Sequence, residues 1–311
     1  MTQPILTQAL LKQFVTEAEL NKEGHIASYI PELANVNQDM TAIAVKPIGQ
    51  ETIVYANGPT TPITIQSTGK LIPLIGLIEL YGVEKVLKWV KVEPSGDDFS
   101  SITRLEQFGP EPSNPMLNSG AIMLCSHIPG KNEQQFTWLE QWTHCLFNHP
   151  ISINPSVFAS EKRTGDRNRS IAYILQSRRI LGASVETTLD LYFALCSYQV
   201  TIEQAVYLPA LLANLGKDPD TNEQIISPET CQITLAIMAT CGLYDETGTH
   251  MVRTGMPAKS GVSGYTFASV PGKAGIVTLS PRVNAKGNSI RGELMLEALS
   301  KKMNWHFASV A

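Results

Sequence analysis

The sequence predicts an α/β chain of the α+β kind: an antiparallel sheet flanked by helices, with a helical region inserted between its strands. Three observations predict it. Short runs rich in β-branched residues and closed by glycine occur near both ends of the chain. The middle carries helix-period apolar spacing. Consecutive strand-like runs lack the intervening helices that parallel βαβ units require.

Residues 5 to 30 carry helix-compatible apolar spacing, and Pro31 interrupts whatever precedes it. TAIAVKPIG and ETIVYANG read as the two strands of a hairpin. From Thr64 to Val92 the period turns helical, and ITIQSTGKLIPLIGLIELYG reads as a turn feeding a helix that begins near Ser67, with Pro73 an obstacle in its early part. EPSGDDFSSITRLEQFGPEPSNPMLNSG is dense in Gly, Pro, Ser and Asp and reads as loop, of a length that usually carries function. Helical stretches follow at about 118–128, 133–147, 166–182, 186–198, 201–215 and 228–241. GMPAKSG, GYTFASVP and AGIVTLSP read as strands, and a last helix runs from about Ser289 to Lys302. The expected organisation is a single domain over 1–311, with a sheet subdomain from about 1–75 and 245–311 and a helical subdomain from about 76–244.

A chain of 311 residues with 43% hydrophobic and 17% charged residues can bury a sizeable core and is not compositionally disordered. Its net charge of -4, with Lys and Arg scattered, offers no cationic field for phosphate backbones, so no nucleic acid is expected as a partner. The N-terminus MTQPILTQALLKQF lacks the pattern of a signal peptide. Runs such as LIPLIGLIEL and YLPALLANLG fall short of the roughly 20 residues that cross a bilayer. No membrane span is expected, and the cytoplasm is the expected compartment. The five cysteines are odd in number and four lie in apolar helix-like runs, which predicts buried, reduced thiols. With no CxxC pair and no HExxH, no metal site and no cofactor are expected.

The chemistry centres on Ser67-Thr-Gly-Lys70. A hydroxyl and an amine three residues apart share one helix face. Serine is weakly nucleophilic until a base takes its proton, and a lysine in a dry pocket has its pKa lowered enough to do so. A serine at a helix start also presents its own backbone N–H to an oxyanion. Lys259-Ser260-Gly261, in an expected strand about 190 residues later, resembles the K-[ST]-G element that accompanies S-x-x-K in penicillin-recognising enzymes. Order and spacing together make a serine acyl-transfer enzyme a candidate.

Whole segments extend the likeness. SYIPELA, IQSTGK, EPSG followed by NPMLNSGAI, EKRTGDRNRSIAY, LDLYFALCSYQVT, CGLYDETG, GMPAKSGVSG and the later SP and GNS stand in the order seen in the glutaminase family, which the chain resembles over roughly residues 24 to 300. The resemblance implies a serine β-lactamase-like, transpeptidase-like fold and hydrolysis of L-glutamine without a metal. It implies Ser67 as nucleophile, Lys70 as its base, and Tyr29 as a tyrosine shuttling protons beside the serine. Asn118, Glu161, Asn168, Tyr192, Tyr244 and Val262, with Ser67, match the family's substrate-contacting positions. Glu161, the only carboxylate among them, is the natural partner of the substrate ammonium. Val262 follows a glycine, and its backbone N–H is expected to complete the oxyanion hole with that of Ser67. A homodimer or homotetramer is implied by resemblance alone.

The chain departs from the family pattern at Gly69 and Pro73, at Tyr265 where glycine is common, and at PRVN in place of a PPLD-like stretch. Two other readings stay open at this stage. One is a β-lactamase or peptidase using the same pair on a larger amide, and the other is a glutamine-binding protein without turnover.

Overall fold

The computed structural model describes residues 5–96, 101–102, 105 and 109–309. Its strands are β1 (Ala42–Pro47), β2 (Ile53–Ala56), β3 (Ile63–Thr64), β4 (Ser152–Ile153), β5 (Tyr198–Val200), β6 (Ala258–Ser260), β7 (Tyr265–Val270) and β8 (Ala274–Leu279). The main sheet has the order β2-β1-β8-β7-β6, with every neighbouring pair antiparallel. The expected hairpin is its first pair. β1 then joins β8 from the far end of the chain, Ala42 opposite Leu279 and Pro47 opposite Ala274.

β1, β7 and β8 are buried along their whole length because both sheet faces are covered. Alternate residues enter different cores, as a period of two requires. Ile43, Val45, Ala268 and Ile276 pack with Leu11, Phe14 and Val15 of α1 (Gln8–Glu19), and with Met295, Leu296 and Leu299 of the last helix. Ala42, Ala44, Phe267 and Val277 face the larger core. There they meet α3 (Leu71–Tyr81), α5 (Asn118–Ser126) and α9 (Val185–Ser197), the short α2 (Pro31–Ala34) and α4 (Val83–Trp89) preceding in the chain. Among the described residues the further helices are α6 (Glu133–Phe147), α7 (Pro155–Thr164), α8 (Asp166–Ser177), α10 (Ile202–Ala205), α11 (Tyr207–Ala213), α12 (Pro228–Cys241), α13 (Thr247–Thr254) and α14 (Ile290–Met303).

Several expectations need correction. The helix expected across residues 5 to 30 stops at Glu19, because NKEG brings no apolar residue to bury and His25 pairs with Val283 instead. The stretch 201–215 divides into α10 and α11, since Pro209 has no N–H to continue the ladder from Ala205. The chain from Gln66 to Lys70 is a 3-10 turn, and α-helix begins at Leu71. Pro73 then falls in the first turn of α3, where its missing N–H costs no intrahelical bond. A second sheet, β3-β5-β4, and helices α7 and α13 were not expected. Cys125, Cys196, Cys231 and Cys241 are buried free thiols, but Cys145 is exposed. No described helix is long and apolar enough to cross a membrane.

Candidate active site

The site assembles around the turn Gln66–Lys70. The preceding β3 is pinned when Ile65 N–H donates to Tyr198 O at 2.8 Å, and Thr68 closes the turn with Oγ1 on Ile65 O at 2.7 Å. With three residues per turn, a 3-10 helix sets residues i and i+3 directly in line, so Ser67 and Lys70 share one side. Gly69 has a packing reason: a Cβ there would stand 2.9 Å from Leu195 O on the backbone of α9. Gln66, just before the serine, holds a left-handed φ of 48°, which is uncommon for a residue with a side chain and typical of sites that aim one.

Lys70 is fully buried. Its Nζ donates to Met116 O at 2.9 Å and to Asn118 Oδ1 at 2.8 Å. Burial lowers its pKa to about 8. The motif NPMLN makes this contact. Asn114 Oδ1 accepts from the N–H groups of Met116 and Leu117 at 3.0 and 3.1 Å, folding the loop so that Met116 O and Asn118 both reach the amine. Asn118 in turn donates from Nδ2 to Asn168 Oδ1 at 3.0 Å.

Opposite stands a carboxylate. Asn154 caps α7 by accepting from Ser156 and Val157 N–H, Pro155 takes the first position, and the helix carries Glu161 inward, 5% exposed rather than solvated beside Lys162 and Arg163. The Tyr29 hydroxyl donates to Glu161 Oε1 at 2.7 Å and lies 3.0 Å from Gln66 Oε1. Burial raises the pKa of Glu161, against the hydrogen bonds from Tyr29 and Gln66. The ring of Tyr29 is 47% exposed, but its hydroxyl end is enclosed; desolvation there and the Glu161 charge hold the phenol well above its ordinary value.

Tyr29, Ser67, Asn118, Glu161, Asn168, Tyr192 and Val262 line one cavity of about 370 Å³, together with Gln66, Arg167 and Cys196, which the sequence reading did not assign to the site. Lys70 lies behind its wall through Asn118. Tyr244 is beside Val262 rather than in the lining itself, with a left-handed φ of 54° and Lys259 Nζ 4.7 Å from its ring centroid. Lys259 is fully buried and donates to Gly242 O and Ser260 O, so the lysine of K-S-G braces the backbone. Burial, then the neighbouring Lys70 charge, hold its pKa well below the ordinary lysine value. A larger cleft of about 560 Å³, lined by Lys85, Trp89, His127 and Lys131 among others, shares no residue with this cavity. Size does not decide between them, because the smaller one collects the serine and the raised carboxyl, with the lowered lysine behind its wall.

The arrangement offers a hydroxyl beside a partly neutral amine, a buried carboxyl across the cavity, and neutral amides between them. Comparison with known proteins points the same way. The family model described as Glutaminase matches residues 24–307. A glutaminase of Legionella pneumophila (strain Paris) is 72% identical over 308 residues, covering 99% of this chain and 99% of its own. The solved structure of a probable glutaminase, ybaS, superposes with a TM-score of 0.92 at 30% identity, covering 98% of this chain and 100% of that chain. The Bacillus subtilis glutaminase YbgJ, solved as a covalent complex with 5-oxo-L-norleucine formed by reaction with 6-diazo-5-oxo-L-norleucine, superposes with a TM-score of 0.85 at 30% identity, covering 96% and 98%.

Proposed function

The chain belongs to the glutaminase family, has its serine β-lactamase-like fold and hydrolyses the side-chain amide of L-glutamine to L-glutamate and ammonia; on that premise we propose that Ser67 is the nucleophile and Lys70 its base. One observation carries the proposal. Lys70 is buried one 3-10 turn from Ser67, with its pKa lowered to about 8 and two of its N–H groups committed to Met116 O and Asn118 Oδ1. Those bonds fix the amine one turn from the serine, and in its neutral form it is the base for the serine proton.

The cycle runs as follows. Ser67 Oγ attacks the amide carbon as its proton passes to Lys70, and the oxyanion is held by the backbone N–H groups of Ser67 and Val262. The tetrahedral species collapses, ammonia leaves with the proton returned to its nitrogen, and a glutamyl ester of Ser67 remains. Water, deprotonated by the same amine, hydrolyses the ester. Tyr29 stays protonated and is fitted to relay or donate a proton rather than to act as the resting base. Glu161 takes the substrate ammonium, whose charge favours its ionised form and displaces Tyr29 as partner. Asn118, Asn168, Tyr192 and Tyr244 hold the remaining polar groups of the substrate. The homologous enzyme in covalent complex with 5-oxo-L-norleucine supports a nucleophilic side chain in this site, which the acyl-enzyme route requires. We further propose a homodimer or homotetramer acting in the cytoplasm, which light scattering of the purified protein and fractionation of cells would check.

The test is ammonia release from L-glutamine and from L-asparagine by wild-type protein, Ser67→Ala and Lys70→Met. Turnover of glutamine by wild type that vanishes in both variants is expected. A Ser67→Ala enzyme with full turnover would remove the serine from the mechanism.

A further inference from the structure

Tyr244 and Val262 stand on separate segments, and the turn 284–288 reaches both. Asn288 is 1% exposed and engaged on two sides. Its Oδ1 accepts from Ser260 Oγ at 2.7 Å, while its Nδ2 donates to Glu246 Oε2 at 2.6 Å and to Leu243 O at 3.3 Å. Asn284 closes the turn, accepting from Asn288 N–H at 3.1 Å and donating to Glu246 Oε2 at 2.8 Å. Leu243 and Glu246 bracket Tyr244, and Ser260 precedes Val262 by two residues. Lys259 and Ser260 are tied to the same segment through Gly242 O, at 2.9 Å and 3.2 Å. Gly287 brings the turn against both side chains: a Cβ there would stand 3.2 Å from Val262 Cγ1 and 3.3 Å from Tyr244 Cε2, and its φ of 92° suits glycine.

We infer that Asn288 and Glu246 are positioning residues of the glutaminase reaction, locking Tyr244 and the Val262 N–H into register with Ser67. The inference rests on the reading above, in which those two groups face the substrate. An amide suits the junction because it accepts from a hydroxyl on one side while donating to a carboxylate and a carbonyl on the other. Tyr244, in a left-handed conformation, is held through its neighbours at 243 and 246 as well as by its own carbonyl, which accepts from Thr247 Oγ1 at 3.2 Å. Misplacing an oxyanion donor affects the step in which charge develops, so the loss should fall on kcat.

The test compares kcat, KM and the thermal midpoint of wild type, Asn288→Asp, Glu246→Gln, the Asn288→Asp/Glu246→Gln double variant, Gly287→Ala and Tyr244→Ala. Asn288→Asp sets a second carboxylate against Glu246 and removes the donor. Adding Glu246→Gln removes the charge repulsion and lets the new amide donate to the new carboxylate, which still accepts from Ser260, while Leu243 O loses its donor and Asn284 Nδ2 its acceptor. A fall in kcat of about 10- to 100-fold for Asn288→Asp, partly recovered in the double variant, is expected. A folded Asn288→Asp enzyme turning over at the wild-type rate overturns the inference, as does a double variant as slow as the single. Should Asn288→Asp not fold, Gly287→Ala decides. Its methyl must push Val262 or Tyr244, so an unaltered kcat overturns the inference and a reduced kcat at a wild-type midpoint supports it. Tyr244→Ala separates the two levels. An unchanged KM there sinks the substrate-site reading itself, whereas a raised KM beside a normal Asn288→Asp sinks only the positioning role.

Discussion

At Lys70, burial disfavours the ammonium and lowers the pKa to about 8, while Met116 O and Asn118 Oδ1 accept from either protonation state. A base acts when neutral, so kcat/KM should rise with pH through about 8, the neutral fraction growing from about one tenth at pH 7 to about nine tenths at pH 9. A pH profile flat between 6 and 9 would remove Lys70 as the base. Glu161→Gln keeps the shape of the cavity and deletes the counter-ion of the substrate ammonium. KM for glutamine should climb about 10- to 100-fold, with the thermal midpoint held, as initial-rate kinetics and calorimetry would show. The residue types of this cavity were legible from the motifs, but Gln66, Asn114 and Cys196 were not assigned. Asn114 works by folding a loop onto Lys70 and Gln66 by its left-handed backbone, and neither action leaves a spacing signal.

Elements position these residues, and two of the chain's departures from its family's pattern have structural causes. Gly69 lets the serine turn lie against the backbone of α9. Gly69→Ala should cost about 1–3 kcal/mol of stability and lower kcat, because Leu195 O cannot move aside. Urea unfolding together with steady-state rates would check both. Tyr265 spans the two sheets, its hydroxyl donating to Val200 O at 2.9 Å from a fully buried ring. Tyr265→Phe should therefore cost about 0.5–1.5 kcal/mol in the same unfolding experiment, since one buried hydrogen bond between the sheets is lost, while KM stays near wild type. Long periodic helices such as α6 and α12 were read within a residue or two of their ends. α7 was missed although Asn154-Pro155 and the closing Lys162-Arg163 are start and stop signals, because its apolar face is short and polar residues interrupt it. The two- and three-residue strands β3, β4 and β5 are too short to show any period.

Across the whole molecule, chain ends meet around the main sheet, and one buried contact there should govern stability at alkaline pH. His250 of α13 faces acceptors on both ring nitrogens: Glu293 Oε2 lies 2.6 Å from Nδ1 and Met256 O lies 2.8 Å from Nε2. Burial opposes the imidazolium, but the Glu293 charge and these bonds outweigh it, and the pKa is raised. A raised folded value means the contribution is fully present below the unfolded pKa of about 6.5 and is lost as pH climbs through the folded value. Lys70 and Lys259, with their lowered pKa values, act in the opposite sense in both proteins, so from pH 6 to pH 9 the unfolding free energy of wild type should fall relative to that of His250→Gln; equal slopes would discard the contact as a titrating one. Periodicity, glycine punctuation and rare motifs are local properties, so the antiparallel sheet with strands from both ends, the S-x-x-K and K-S-G elements and membership of the glutaminase family are legible in the chain alone. That Ser67 stands on a 3-10 turn, that Glu161 is buried against Tyr29, and that Lys259 braces the backbone beside Tyr244 emerges only in the folded chain. Those outcomes depend on which groups lose water and which partner each then finds, and partners 37 or 132 residues apart are brought together only by packing.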